Sequence, residues 1–99
     1  MIYRRLRRAA RTDANQAEIV RTLSAAGGLW VPQGYPVDGW AGHGGLWVPV
    51  EIKDGSKPPS KRKLTDGQIE FMRNCSAYRL PVAVVSSPEE ILAAVGAIR

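Results

Sequence analysis

The apolar and polar positions along the chain follow two periods. From 13 to 26 the period is helical. Ile19, Val20, Leu23 and Ala26 recur on one face, Thr12 or Asp13 can cap the start, and Gly27-Gly28 ends the element. Leu29-Trp30-Val31 reads as a short strand stopped by Pro32 and Gly34. Residues 35–41 form a weaker strand interrupted by Gly39, and Gly42-His43-Gly44-Gly45 is a strong turn signal. Residues 46–53 alternate cleanly: Leu46, Val48, Val50 and Ile52 face one way, and Trp47, Pro49, Glu51 and Lys53 the other. Pro49 cannot donate to a ladder, so it marks an edge, a bulge or a break.

Residues 54–63, with Gly55, Pro58 and Pro59, predict a basic loop. Thr65 opens a second helix, with Gln68 at capping-box spacing and Ile69, Met72 and Phe71 on its apolar side. Residues 81–85 read as a buried strand. Ser87-Pro88-Glu89-Glu90 then starts a last helix, in which Ser87 caps, Pro88 suits the first turn and Glu90 completes a second capping box. Ile91, Leu92, Val95 and Ile98 would seat it on the sheet. The order is helix, three strands with a hairpin, helix, strand, helix. It predicts a single α/β domain over 1–99 with a central mixed sheet flanked by helices, preceded at 1–12 by a basic arm.

Composition narrows the class. The chain has 99 residues, 44% of them apolar, which is the balance of a globular domain. No apolar run approaches the roughly 20 residues of a membrane span. The basic start is not followed by an apolar stretch, so no secretory signal is expected, and acidic and capping residues at Thr12 and Asp13 argue against a transit peptide. The single cysteine, Cys75, forms no internal disulfide and suits a reducing cytoplasm. The net charge is +5, and it is patterned. Arg4, Arg5, Arg7, Arg8 and Arg11 form one basic block, and Lys53, Lys57, Lys61, Arg62 and Lys63 a second. Two such blocks flanking an acidic group point to nucleic acid, by phosphate neutralisation; a solvated basic surface is the plainer alternative.

The acidic group is Pro36-Val37-Asp38 followed, across the glycine turn, by Glu51-Ile52-Lys53. Glu51 and Lys53 share a strand face, and the turn folds Asp38 back toward Glu51. Two carboxylates held together repel unless a cation compensates. Oxygen ligands favour Mg²⁺ or Mn²⁺, which acidify a bound water and polarise a phosphate. The competing reading is an ordinary Glu51–Lys53 ion pair beside a turn aspartate.

Over about 13–95 the sequence resembles the standalone VRR-type nucleases, largely phage and bacterial, of the PD-(D/E)XK superfamily. The residues that carry the likeness are Asp13-Ala14-Asn15-Gln16-Ala17-Glu18, Pro36-Val37-Asp38 and Val50-Glu51-Ile52-Lys53-Asp54-Gly55. They continue with Lys57-Pro58-Pro59-Ser60, Leu64-Thr65 with Gln68, and Pro81-Val82-Ala83-Val84-Val85. The resemblance implies a restriction-endonuclease-like αβββαβ core. It also implies a metal-dependent, structure-selective DNA endonuclease acting on Holliday-junction-like or flap-like DNA, often as a homodimer. In that scheme Asp38, Glu51 and Glu18 are metal ligands, with the Ile52 carbonyl also facing the metal, and Lys53 is the catalytic lysine. Gln68 corresponds to a glutamine near the site.

Each assignment has a plainer rival. Glu18 lies on a small-sided helix face with Ala14 and Ala25, yet it could equally be an exposed glutamate pairing with Arg21 or Thr22. Gln68 is explained by capping alone, and Asp54 by loop stabilisation. His43 reads as a turn residue and Cys75 as structural. Trp30, Trp40 and Trp47 read as sheet packing or a subunit interface ahead of base stacking. Gly39-Trp40-Ala41-Gly42 after Asp38, and Pro49, depart from the family pattern and put the Asp38–Glu51 register in doubt. A non-catalytic basic DNA-binding module that keeps the fold is the alternative function, and an RNA-binding protein a third reading.

Overall fold

A computed structural model describes residues 13–98. The basic block Arg4, Arg5, Arg7, Arg8 and Arg11 lies outside the described residues. The elements are α1 (Gln16–Ala25), β1 (Leu29–Pro32), β2 (Gly39–His43), β3 (Leu46–Ile52), a 3₁₀ turn (Pro59–Lys61), α2 (Asp66–Ala77), β4 (Ala83–Val85) and α3 (Pro88–Ala94). The strands form one sheet in the order β1-β2-β3-β4, antiparallel between the first three and parallel between β3 and β4. This is the α/β arrangement with a mixed sheet that the alternating periods predict. Among the described residues no helix is long and apolar enough to cross a membrane.

The β2–β3 hairpin sets the register. Its loop is only Gly44 and Gly45, with φ of 56° and 87°, the two positive values that a two-residue type I′ turn needs. Gly42 and His43, expected in the turn, belong to β2 instead. From His43 opposite Leu46 the ladder runs unbroken to Gly39 opposite Val50. Pro49 sits within it opposite Trp40, and the β4 ladder begins at Val50, one residue later. The residue that cannot donate thus lies just outside the parallel ladder. β4 is an edge strand rather than a buried one, and its Val84 is exposed.

One sheet face carries the core. Ala41, Val48, Val50, Ile52 and Val85 pack with Ile19 and Leu23 of α1 and with Ile91 and Val95, from α3 and the residue that ends it. Trp30 closes this layer beside Gly39. A methyl on Gly39 would stand 2.5 Å from Trp30 Cζ2 and 2.6 Å from the Val31 carbonyl oxygen. The glycine that weakens the strand by propensity is therefore demanded by packing. Ile98, expected to pack, is exposed beyond the end of α3, where Gly96 adopts φ 76°.

Two helix starts differ from expectation. α1 begins at Gln16, not at 13; Asn15 rather than Asp13 holds the N-cap position, without a side-chain capping bond, and Thr12 lies outside the described residues. In α3, Ser87 caps as predicted, but Glu90 Oε1 accepts from Ser86 N (2.6 Å) and Ser86 Oγ (2.9 Å) rather than from the Ser87 amide. The capping box of α2 forms as read.

Candidate functional site

The site forms where the β2–β3 ladder ends. Beyond the Gly39–Val50 pair the strands stop exchanging backbone bonds, and the Asp38 carboxylate takes over. Its Oδ2 accepts from the Ile52 amide at 2.7 Å. Asp38 is held from behind as well. Its carbonyl accepts from Gln33 N (2.8 Å) and Gly34 N (3.4 Å), closing the β1–β2 loop, and Val37 beside it is buried.

Glu51 is 5% exposed, the one charged residue among the buried described residues. Its Oε2 pairs with Lys53 Nζ at 3.0 Å, while Oε1 is buried and accepts no hydrogen bond among the described residues. A buried carboxylate oxygen left without a donor costs on the order of 1–3 kcal/mol. The Lys53 backbone is fixed on both sides. Its amide donates to Val85 O at 2.9 Å, and its carbonyl accepts from Asn15 Nδ2 at 3.1 Å. Asn15 Nδ2 also donates to Ser86 O at 2.9 Å, so one side chain ties the start of α1 to the ends of β3 and β4. Asn15 Oδ1 is a second buried acceptor without a partner among the described residues.

The electrostatics agree with this crowding. The Asp38 carboxyl is pushed up to about 6, chiefly by burial; the Ile52 amide opposes this, and the charges of Glu51 and Asp13 add to it. Lys53 pulls weakly the other way. The charges acting on Asp38 include Asp13. Glu18 is exposed on α1 and is not among the charges acting on Asp38. Asp13 in turn meets Lys57 Nζ at 3.4 Å, bringing the basic loop to the site's edge.

Asp38, Glu51 and Lys53 therefore come together as expected; at Ile52 the observed contact is made by the amide, not by the carbonyl expected to face a metal. Gln68 does not join them by hydrogen bond. Its Oε1 accepts from Thr65 N at 3.0 Å and its backbone N–H donates to Thr65 Oγ1 at 3.2 Å, so its side chain serves the cap. Lys61, Arg62 and Lys63 are exposed along the loop, and Arg62 Nε donates to Lys57 O at 2.7 Å. Asp54 accepts from Ser56 N (3.0 Å) and Ser56 Oγ (2.7 Å), bonds that hold its pKa below the usual carboxylate value and stabilise the loop. His43 lies at the opposite end of β2, and Cys75 is buried in α2. No three His, Cys, Asp or Glu side chains among the described residues form a ready metal-binding group.

Two participants escaped the sequence reading. Asp13 was read as a cap, and Asn15 only as part of a motif. The register, by contrast, was available. Counting outward from a two-residue Gly44-Gly45 turn places Asp38 opposite Glu51. Compared with known protein families, curated proteins and solved structures, the chain gives no match.

Proposed function

We propose that the chain is a metal-dependent endodeoxyribonuclease with a restriction-endonuclease-like core, resembling the VRR-type branch of the PD-(D/E)XK nucleases. One observation carries the reading. At the ladder's end a carboxyl raised to about 6 lies near a buried glutamate, which pairs with Lys53 at 3.0 Å and keeps one oxygen without a partner among the described residues. Such strain is what a functional carboxylate pair shows.

The donors fit a hard divalent cation, because Glu51 Oε1 has no partner among the described residues and Asp38 Oδ2 alone of its oxygens takes the Ile52 amide. Mg²⁺ or Mn²⁺ held by Asp38 and Glu51 would supply a polarised phosphate oxygen and an acidified water. The protein's own residues do the rest. The Ile52 amide orients the Asp38 carboxylate. Glu51 holds the Lys53 ammonium where it can donate to a phosphate oxygen or to an attacking water. Asn15 fixes the backbone that carries Lys53. Lys57, Lys61, Arg62 and Lys63, together with the arm residues Arg4, Arg5, Arg7 and Arg8, hold the DNA backbone. Branched or flapped DNA is the proposed substrate, and a homodimer would present two sites to its two strands.

A cleavage panel of junction, flap, nicked and duplex DNA tests this, run with Mg²⁺, with Mn²⁺ and with EDTA. Cleavage is expected with either metal and not with EDTA; protein inert on every substrate would refute the reading. The second reading, a non-catalytic DNA-binding module, is favoured by the Glu51–Lys53 ion pair, with no three-ligand group among the described residues. Mn²⁺ titration separates the two, since only the nuclease should lose metal affinity in Asp38→Asn.

A further inference from the structure

The sheet face that holds Glu51 and Lys53 also carries two exposed tryptophans. By strand alternation and register, Trp40, Gly42, Trp47, Pro49, Glu51 and Lys53 all lie on it, opposite the face packed by α1 and α3. Trp47 is 48% exposed and Trp40 37%. They are not stray surface residues.

The orientation of Trp47 is fixed by Gly42, its cross-strand partner. A methyl on Gly42 would stand 2.9 Å from Trp47 Cζ3 and 3.1 Å from each of its ring neighbours, Cε3 and Cη2. Near-equal distances to three consecutive ring carbons mean that the indole lies face-down on the β2 backbone. An edge-on ring would put the two neighbours much farther away. Trp47 therefore turns its second face outward, already ordered by the strand beneath. Trp40 sits opposite Pro49, which makes it a diagonal neighbour of Glu51 at about 7–8 Å. Trp47 is four residues from Glu51, about 13 Å along β3. Pro49, between Trp47 and Glu51 on this face, is buried, so the exposed surface of the strip is that of the two indoles.

We propose that Trp47 and Trp40 form a stacking platform for unpaired bases of a DNA strand leading into the Asp38–Glu51 site. The occupant follows from continuity with the phosphate chemistry proposed there, and to that extent the inference rests on the nuclease reading. It also follows from the net charge of +5, which draws polyanions. Bases in a duplex are stacked on each other and offer no free face, so the platform selects DNA with a single-stranded segment.

Binding measured in EDTA separates this from catalysis. The probes are a twelve-residue oligothymidylate and a blunt twelve-base-pair duplex at the same salt. Trp47→Leu keeps an apolar cover over Gly42 but removes the aromatic face. It should weaken oligothymidylate binding by about tenfold or more, leave duplex binding within twofold, and be rescued by Trp47→Phe. Equal loss on both probes, or no loss on the oligothymidylate, overturns the proposal. So does a shift from dimer to monomer in sedimentation, which would make the face a subunit interface. Independently of any variant, oligothymidylate should quench wild-type tryptophan emission and shield it from iodide; unchanged emission overturns the proposal too. Failure of the cleavage panel with this binding intact would sink the nuclease reading alone, and the converse result would sink the platform alone.

Discussion

The two faces of the sheet use the same device to opposite ends. On the face covered by α1 and α3, Trp30 lies against Gly39 of β2; on the other, Trp47 lies against Gly42 of the same strand. Behind Trp30 everything is apolar and closed, from Ile19 to Val95. Farther along the Trp47 face the sheet keeps a buried glutamate, a carboxylate oxygen without a partner among the described residues, and an aspartate whose charge is disfavoured. A small domain cannot bury much surface, so it tolerates polar strain only where another region supplies the stability. The closed face supplies it, and the open face uses it. Substitutions on the two faces should therefore fail in different ways.

The largest effect is expected on the open face, in activity. Glu51→Ala and Lys53→Ala should each reduce Mg²⁺-dependent cleavage by about 10²-fold or more, measured in single turnover. DNA affinity in EDTA should stay within a few fold, because phosphate contacts come mainly from the exposed basic residues. Lys53→Ala should also destabilise the fold by about 2–3 kcal/mol, since it leaves Glu51 buried without its cation. If either variant cleaves at the wild-type rate, the open face is no catalytic site.

On the closed face the expected loss is in folding alone. Gly39→Ala drives a methyl into both the Trp30 ring and the Val31 carbonyl oxygen, and the backbone atom cannot swing away. Urea denaturation should show about 3 kcal/mol of destabilisation. Whatever protein remains folded should keep its metal affinity. A near-neutral Gly39→Ala would show that the β1–β2 contact yields easily, and the contrast between the faces would lose its basis.

What could be read in advance divides along the same line. The order of elements, the hairpin and the Thr65–Gln68 box depend on residues within a few positions of one another, where period and capping rules act. The pairing of Glu51 with Lys53 was legible for the same reason, since residues two apart share a strand face. The Asn15 bonds to Lys53 and Ser86 span 38 and 71 residues, and no local rule reaches that far. Asp13 and Glu18 present the same chemistry to a local reading; only the late start of α1 at Gln16 leaves Asp13 acting on Asp38 and Glu18 in solvent. Gly39 looked like a weak point because propensity knows nothing of the ring beside it.

Asp38→Asn should make the open face more stable while disabling it. The folded pKa of about 6 lies above the ordinary 3.8, so between these values the folded protein binds more protons than the unfolded chain. Stability then falls as pH rises from about 4 to 6 and levels off above that. Asparagine keeps an oxygen for the Ile52 amide and carries no charge to desolvate. At pH 7–8 the variant should be more stable by about 1 kcal/mol, a figure reduced for partial exposure, and it should match the wild type near pH 4. Thermal melts across pH test this, and a constant difference at all pH values would contradict the assigned cause. Saturating Mn²⁺ should close the gap by stabilising the wild type alone.

The smallest effect separates the two tryptophan–glycine pairs directly. Gly42→Ala meets only the Trp47 ring, with no backbone atom among its nearest contacts, and that ring is half-exposed and free to lift. The cost should be less than about 1 kcal/mol, against about 3 for Gly39→Ala. The lifted ring should report itself through a red-shifted tryptophan emission and easier iodide quenching. A Gly42→Ala variant as damaging as Gly39→Ala would mean that the open face is packed as tightly as the closed one, and that Trp47 is a structural wedge.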